Sequence, residues 1–459
     1  MLDFIYKKSP VFIQNIMISV FNYIAYKKRY GGQYYYKKKL YRNNEHLTLK
    51  ELKIIQKRKF SNLVEYSFKN SNFYNKLYNG LEEINDLDNI NQLPILDKEL
   101  LRSEIQDVYT IKKNNSILAK TGGTTGKSLE VFFKKNDMQD RFALLDNFRA
   151  KSGYKLGKKT AVFSGKDILV NRDINNGVFW KTDYYYNVRY YSTFHVKPLY
   201  LVKYLENLLD YKPRYLVGFP STMLEIANYG IRNNIEFPKN IILAIFPTAE
   251  TITDKSRSTL ELFFKAKVFD QYASSEGAPF IFECIKGNLH LELQSGVYEV
   301  LDAADNNCSQ GRLVITSFTS YGTPLIRYDI GDRVELDNLS SCSCGNNNPI
   351  VKRILGRIDD FIYSKENGKI NLGNISNTLK GVNGIKKIQV IQNYLDKLNI
   401  KLVVDSVFYS ADDQATFIKN WRARVGEKME INITILDDIP IEKSGKFRMV
   451  KNNIKDLIK

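Results

Sequence analysis

Between residues 116 and about 355, short apolar runs alternate with longer amphipathic stretches, a rhythm that few folds satisfy. Thr160-Ala161-Val162-Phe163, Tyr215-Leu216-Val217-Gly218, Ile241–Phe246 and Lys267-Val268-Phe269 have the length and apolar character of buried strands. Met138, Phe142, Leu145 and Phe148 recur at helical spacing between them, and residues 201–209 form a second helix candidate. Parallel strands joined by crossover helices are the arrangement that buries both, so the main body is predicted to be α/β. From 285 to 335 the strands come closer together, which predicts an antiparallel or β-barrel-like subdomain beside that body. The last hundred residues carry three strand candidates and one helix, a small α+β unit of their own.

At 459 residues the chain exceeds a single-core domain. Three parts are expected: residues 1–110, a helical basic segment packed on the main domain; residues 111–355, the core; and residues 356–459, a mobile C-terminal domain. The formal charge is +18, from 68 Lys+Arg against 50 Asp+Glu. Most of these cations are interspersed with acids along the chain, the pattern of a solvated surface and not of a nucleic-acid groove. The N-terminus differs, with ten Lys/Arg up to residue 50 against only Asp3 and Glu45. Within it, Val11–Ile24 is apolar but interrupted by Gln14, Asn15 and Asn22, and is too short to span a bilayer, which takes about 20 apolar residues. A helix packed on the main domain and a peripheral membrane contact both fit this stretch.

Four cysteines in so long a chain make no disulfide framework, and a reducing, cytoplasmic setting is expected, with membrane association as the variant its N-terminus allows. Cys342-Ser343-Cys344-Gly345 is a C-x-C-G turn, and Cys284 stands six positions before His290, one of three histidines. Three thiolates and an imidazole would complete a tetrahedral zinc site, although buried free cysteines have the same signature.

The strongest polar signal is Thr121-Gly122-Gly123-Thr124-Thr125-Gly126-Lys127-Ser128. Its glycines can turn backbone N–H groups inward, and its hydroxyls and lysine suit a polyphosphate; a plain hairpin turn would read similarly. It is not a Walker loop, because the position five before Gly126 is Thr121 and the lysine leads into the strand-like Leu129–Phe133. Further polar clusters follow the strands, where open α/β sheets place their chemistry. Gln271-Tyr272-Ala273-Ser274-Ser275-Glu276 offers an aromatic plane for a base and a carboxylate for Mg²⁺. Arg327-Tyr328-Asp329-Ile330-Gly331-Asp332 offers a carboxylate for a ribose diol, or a turn cap. Phe163, Ser164, Gly218, Phe219, Ser221, Ala249 and Glu250 sit at the ends of other strands.

Taken in order, these stretches resemble the adenylate-forming superfamily of acyl-CoA synthetases, and within it the phenylacetate–CoA ligase-like family with its CapK-type members of capsular polysaccharide biosynthesis. The resemblance runs from about residue 90 to the C-terminus and includes Gly356-Arg357-Ile358-Asp359-Asp360 as a hinge and Glu442–Arg448 as the loop of the catalytic lysine. It implies that Thr121–Lys127 closes over the ATP phosphates and that Ala249, Glu250 and Gln271–Ser275 surround the nucleotide. Glu276 would bind Mg²⁺, Asp332 would hold the ribose, Arg357 would support ribose or phosphate, Asp359 would be the hinge, and Lys446 would reach the α-phosphate. Phe163, Ser164, Gly218, Phe219 and Ser221 would line the acid pocket. Relatives carry zinc near C-x-C-G, which favours Cys284, His290, Cys342 and Cys344 as ligands. Two departures stand out: Ala273 replaces a glycine, and Asp329-Ile330-Gly331 replaces a compact R-T-G.

The expected activity is ATP-dependent conversion of a carboxylic acid to an acyl-adenylate, with transfer to coenzyme A, a sugar or an amine, in surface polysaccharide synthesis. The alternative is a non-catalytic nucleotide-binding or membrane-surface assembly protein of the same pathway.

Overall fold

A computed structural model describes residues 2–81, 84–120, 129–166, 168–196, 198–250, 252–337, 341–357, 361–372, 378–379, 381–440 and 448–454. The chain divides into two compact units. The larger holds residues 1–309, 313–330 and 336–352; the smaller holds 310–312, 331–335 and 353–459.

In the larger unit the apolar runs become a six-stranded sheet, in the order Trp180–Asp183, Val188–Ser192, Thr160–Ser164, Tyr215–Gly218, Ala244–Pro247, Lys267–Val268. All neighbours are parallel except the first pair, which forms an antiparallel edge. The helices Pro198–Tyr211, Pro220–Arg232 and Asp254–Phe264 are the crossovers. Their apolar faces meet the sheet in one core with Phe163, Leu216, Met223, Ile226, Ile245 and Phe263. Register aligns the strand ends: Phe163 lies opposite Gly218, and Gly218 opposite Pro247, so their following loops emerge on one edge.

The closely spaced strands form a seven-stranded sheet, ordered Gly296–Leu301, Gln310–Ser317, Tyr328–Leu336, Ile350–Arg357, Leu289–Leu291, Phe280–Glu283, Gln271–Ala273. A second core joins it to the helix Lys135–Ala150, where Phe148 stacks on Phe282 at 4.4 Å.

The N-terminal helix Val11–Tyr30 reverses the usual amphipathic logic. Its buried side chains are Gln14, Asn15 and Asn22, the residues that interrupt the apolar run. They satisfy the open edge of the six-stranded sheet. Thr182 N–H donates to Asn15 Oδ1 at 3.0 Å, Asn22 Nδ2 donates to Asp183 Oδ2 at 2.8 Å, and Lys181 Nζ donates to Gln14 Oε1. An edge strand leaves backbone groups unpaired, and a helix that covers it must offer polar groups, so the apolar side chains point away.

The smaller unit has a four-stranded sheet, ordered Glu430–Ile435, Lys397–Val404, Ile385–Tyr394, Val450–Asn452. The helix Ala411–Val425 packs Phe417, Trp421 and Val425 against Val390, Leu398, Ile400 and Leu402. Ser410 and Asp413 close its N-terminus as a capping box.

Candidate active site and metal centre

The aligned strand ends set the backbone of the site. Gly218 has φ +129°, and a Cβ there would stand 1.9 Å from the Phe163 carbonyl oxygen, so only glycine fits where the Tyr215–Gly218 strand turns into its helix. That carbonyl accepts from Phe219 N–H at 2.8 Å. The Phe163 ring, expected to line an acid pocket, has no exposed surface and stacks on Tyr191 at 5.1 Å in the core, so only its backbone reaches the strand end. Phe219 is buried as well, and Ser164 ends its strand half-buried.

Glu250 closes the first turn of the Pro220–Arg232 helix: its two carboxylate oxygens accept from Ser221 N–H at 3.0 Å and Ser221 Oγ at 2.9 Å. A carboxylate belongs there, because the helix N-terminus leaves N–H groups unpaired and carries positive partial charge. Ala249, just before it, adopts φ +68°, and Thr248 N–H is held by the Gly218 carbonyl at 2.9 Å. Ser221, Ala249 and Glu250 therefore form one braced corner.

The Gln271–Glu276 stretch is held by two arginines of the Lys135–Ala150 helix, eight residues apart and so on one face. Arg149 Nε donates to Gln271 Oε1 at 3.0 Å. Arg141 donates to the Ser274 carbonyl at 2.8 Å and the Ser275 carbonyl at 3.4 Å, with its guanidinium 4.5 Å from the Phe133 ring. Glu276 is buried, and Arg141 is one of the charges facing it. Tyr272 and Ala273 lie on the short strand, with Ala273 exposed. Arg141 and Arg149 carry no motif of their own. Their only sequence signal is the shared helical face, which the apolar spacing of Met138, Phe142, Leu145 and Phe148 already defined.

Asp332 is buried in the strand Tyr328–Leu336, just after Gly331 at φ +80°. Arg327, first in that motif, is a brace: it pairs with Glu299 through Nη2 at 2.7 Å and Nε at 3.0 Å, and donates to the Asn91 carbonyl at 3.2 Å. Arg357 ends the strand Ile350–Arg357. Thr121, Gly122, Gly123, Thr124, Thr125, Gly126, Lys127, Asp359 and Lys446 lie outside the described residues.

Cys284, His290, Cys342 and Cys344 do converge, with all four ligand atoms within 4.8 Å of one another. The fold brings them there by pairing His290 with Ile350, which carries the preceding C-x-C-G loop onto the hairpin of Cys284. That loop turns at Gly345, φ +82°, whose N–H donates to the Cys342 carbonyl at 3.1 Å. Cys284 Sγ and Cys342 Sγ are 3.8 Å apart, far beyond a disulfide bond, and Cys344 Sγ is 3.5 Å from His290 Nε2. A tetrahedron with a Zn–S bond of about 2.3 Å and a Zn–N bond of about 2.0–2.1 Å has edges of about 3.8 and 3.6 Å, so both separations fit. The outer contacts would suit a metal ion held by the four residues. His290 Nδ1 lies 3.1 Å from the Asn348 carbonyl, which directs Nε2 inward, and Asn288 Nδ2 and Asn346 N–H donate to Cys342 and Cys344 at 3.1 and 3.4 Å. Burial lowers the His290 pKa, which favours the neutral imidazole.

Residues 362–453 match the family model described as the CapK C-terminal domain. The fold is similar to 2-hydroxyisobutyryl-CoA ligase in the postadenylation state with 2-HIB-AMP, at TM-score 0.72 and 16% identity over 90% of this chain and 92% of that one. An open conformation of that ligase with 2-HIB-AMP and CoA gives TM-score 0.59 and 17% identity over 89% and 93%. The architecture is thus that of the acyl-CoA ligases. Protein CapK of Staphylococcus aureus is 35% identical over 463 residues, which span 99% of this chain and 100% of that protein. The chain belongs to the CapK family.

Proposed function

We propose that this protein activates a carboxylic acid with ATP and passes the acyl group to an acceptor in the building of a surface polysaccharide. The observation that carries the proposal is the bracing of two strand-end loops: Ser221 with Glu250 after strands of the six-stranded sheet, and Arg149 with Gln271 and Arg141 with Ser274 on the stretch that leads into the buried Glu276. It occurs in a fold shared with a ligase crystallised with an acyl-adenylate.

In the reaction a carboxylate oxygen attacks the α-phosphorus, and the bond from that phosphorus to the pyrophosphate oxygen breaks. Both reactants are anions, so the site must neutralise charge as they meet. Lys446 and Lys127 are the side chains assigned to that task. The Glu276 carboxylate is a hard oxygen donor suited to Mg²⁺, which when bound would neutralise phosphate charge. Arg141 and Arg149 act as positioning residues, fixing the backbone on which Glu276 and Tyr272 sit. Asp332 is assigned to the ribose hydroxyls, Arg357 to ribose or phosphate, and Asp359 to the hinge of the C-terminal unit. In the second step the thiol of coenzyme A, or the amine or hydroxyl of a sugar, attacks the acyl carbon and gives up its proton, and the bond from that carbon to the phosphate oxygen breaks with release of AMP.

We further assign Cys284, His290, Cys342 and Cys344 to a zinc ion. All four positions of the tetrahedron come from the protein, so this zinc is structural and takes no part in the chemistry.

The test is to incubate the protein with ATP, Mg²⁺ and a pool of aromatic, hydroxy and amino acids, with and without coenzyme A. AMP release and the mass of the acyl product are read. Acid-dependent AMP release that falls about a hundredfold in Glu276→Gln is expected; release independent of any acid would overturn the proposal.

A further inference from the structure

We propose that the outer face of the helix Val11–Tyr30 is a docking surface for an anionic lipid membrane. Ile13, Ile16, Val20 and Ile24 lie on the helix arc opposite Gln14, Asn15 and Asn22, with Phe12 and Phe21 at the two margins of that arc, and all six are exposed. Phe12 and Phe21 show 64% and 70% of their surface to solvent, Val20 and Ile24 54% and 58%. The helix is about 30 Å long at 1.5 Å per residue. Its contiguous apolar stripe is far more than the scattered single residues of an ordinary surface. Nothing in folding requires it, because the opposite, polar face holds the helix to the sheet edge.

The chemistry around the stripe selects a lipid surface. Tyr184 and Tyr185, half-exposed or more, pack beside it, Tyr185 on Tyr23 at 4.9 Å and Tyr184 near Phe12 at 6.3 Å. Amphipathic rings of this kind settle at the headgroup level of a bilayer. Lys27 and Lys28 lie on the same arc at its C-terminal end, and exposed Lys7, Lys8, Phe4 and Ile5 precede it. The helix itself contains no acid. A second copy of the chain would set these lysines against lysines in a two-fold contact, whereas anionic headgroups complement them. No helix among the described residues is long and apolar enough to cross a membrane, so the helix would lie in the interface. The proposal does not depend on the adenylation reading.

The test is sedimentation of the full chain with phosphatidylcholine vesicles and with roughly 7:3 phosphatidylcholine–phosphatidylglycerol vesicles at physiological salt. Binding to the anionic vesicles only is expected. Phe12→Ser with Phe21→Ser should weaken it about tenfold or more, and Lys27→Ala with Lys28→Ala about fivefold per charge. Both side-chain sets are exposed, so circular dichroism and melting temperature should not change. Absence of binding to anionic vesicles, or unchanged binding by the Phe12/Phe21 variant, would overturn the proposal. So would a dimer that this variant dissociates without any vesicle binding.

Discussion

Gly218 shows how much of the site rests on single backbone positions. Any side chain there meets the Phe163 carbonyl, in a strand that cannot retreat because both its neighbours are hydrogen-bonded to it. Gly218→Ala is expected to cost about 3 kcal/mol or more, read as a lowered melting temperature. Asp137 makes a second residue-scale case. It accepts from Lys134 N–H at 2.8 Å and Gly322 N–H at 3.0 Å, yet burial outweighs these bonds and raises its pKa to about 6. The folded state then holds a proton at Asp137 in a window, from about 4 to about 6, where the unfolded chain has released it. This group's contribution to stability is therefore full below that window and is lost as pH rises through it. Asp137→Asn, which keeps an acceptor oxygen without the charge, should lessen the fall in melting temperature between pH 4 and pH 7.5. An identical pH profile in the variant would contradict the assignment.

At the scale of elements, the buried strands were legible because a strand covered on both faces must be apolar throughout, as Tyr215–Gly218 and Ala244–Phe246 are, although the run predicted from Ile241 becomes strand only at Ala244 and leaves Leu243 exposed. The Cys/His cluster was legible in residue type and spacing, but its convergence depends on the pairing of His290 with Ile350, which no local pattern encodes. Cys342→Ser should remove the bound zinc, measured as metal per chain by mass spectrometry of the purified protein, and lower the melting temperature of the hairpin it ties. Full zinc content in that variant would exclude Cys342 as a ligand. The helix Val11–Tyr30 was legible as a helix but not in its orientation. Hydropathy predicts that apolar side chains face inward, and here the edge strand Trp180–Asp183 imposes the opposite by its need for hydrogen-bond partners. Arg141 and Arg149 were missed for a related reason: a cation on a helix reveals its role only once the loop it braces is in place.

At the scale of the whole molecule, the chain belongs to the CapK family and shares its fold with an acyl-CoA ligase over 90% of its length. The order of motifs carried most of that, since a fold with its chemistry at strand ends spreads its site over many short stretches of sequence. Within the larger unit, Ser221 and Glu250 bond to each other and Arg141 and Arg149 hold the Gln271–Ser275 stretch before Glu276, while Thr121–Lys127 and Lys446 are assigned from the motifs alone. The central claim is that a carboxylate attacks the α-phosphate with Lys446 assisting. Its most direct test is ATP–pyrophosphate exchange across a panel of carboxylic acids, comparing the wild-type chain with Lys446→Ala. Acid-dependent exchange in the wild type, reduced about a hundredfold or more in the variant while ATP binding persists, is predicted. Silence of the wild type on every acid, or exchange at the wild-type rate in Lys446→Ala, would contradict it.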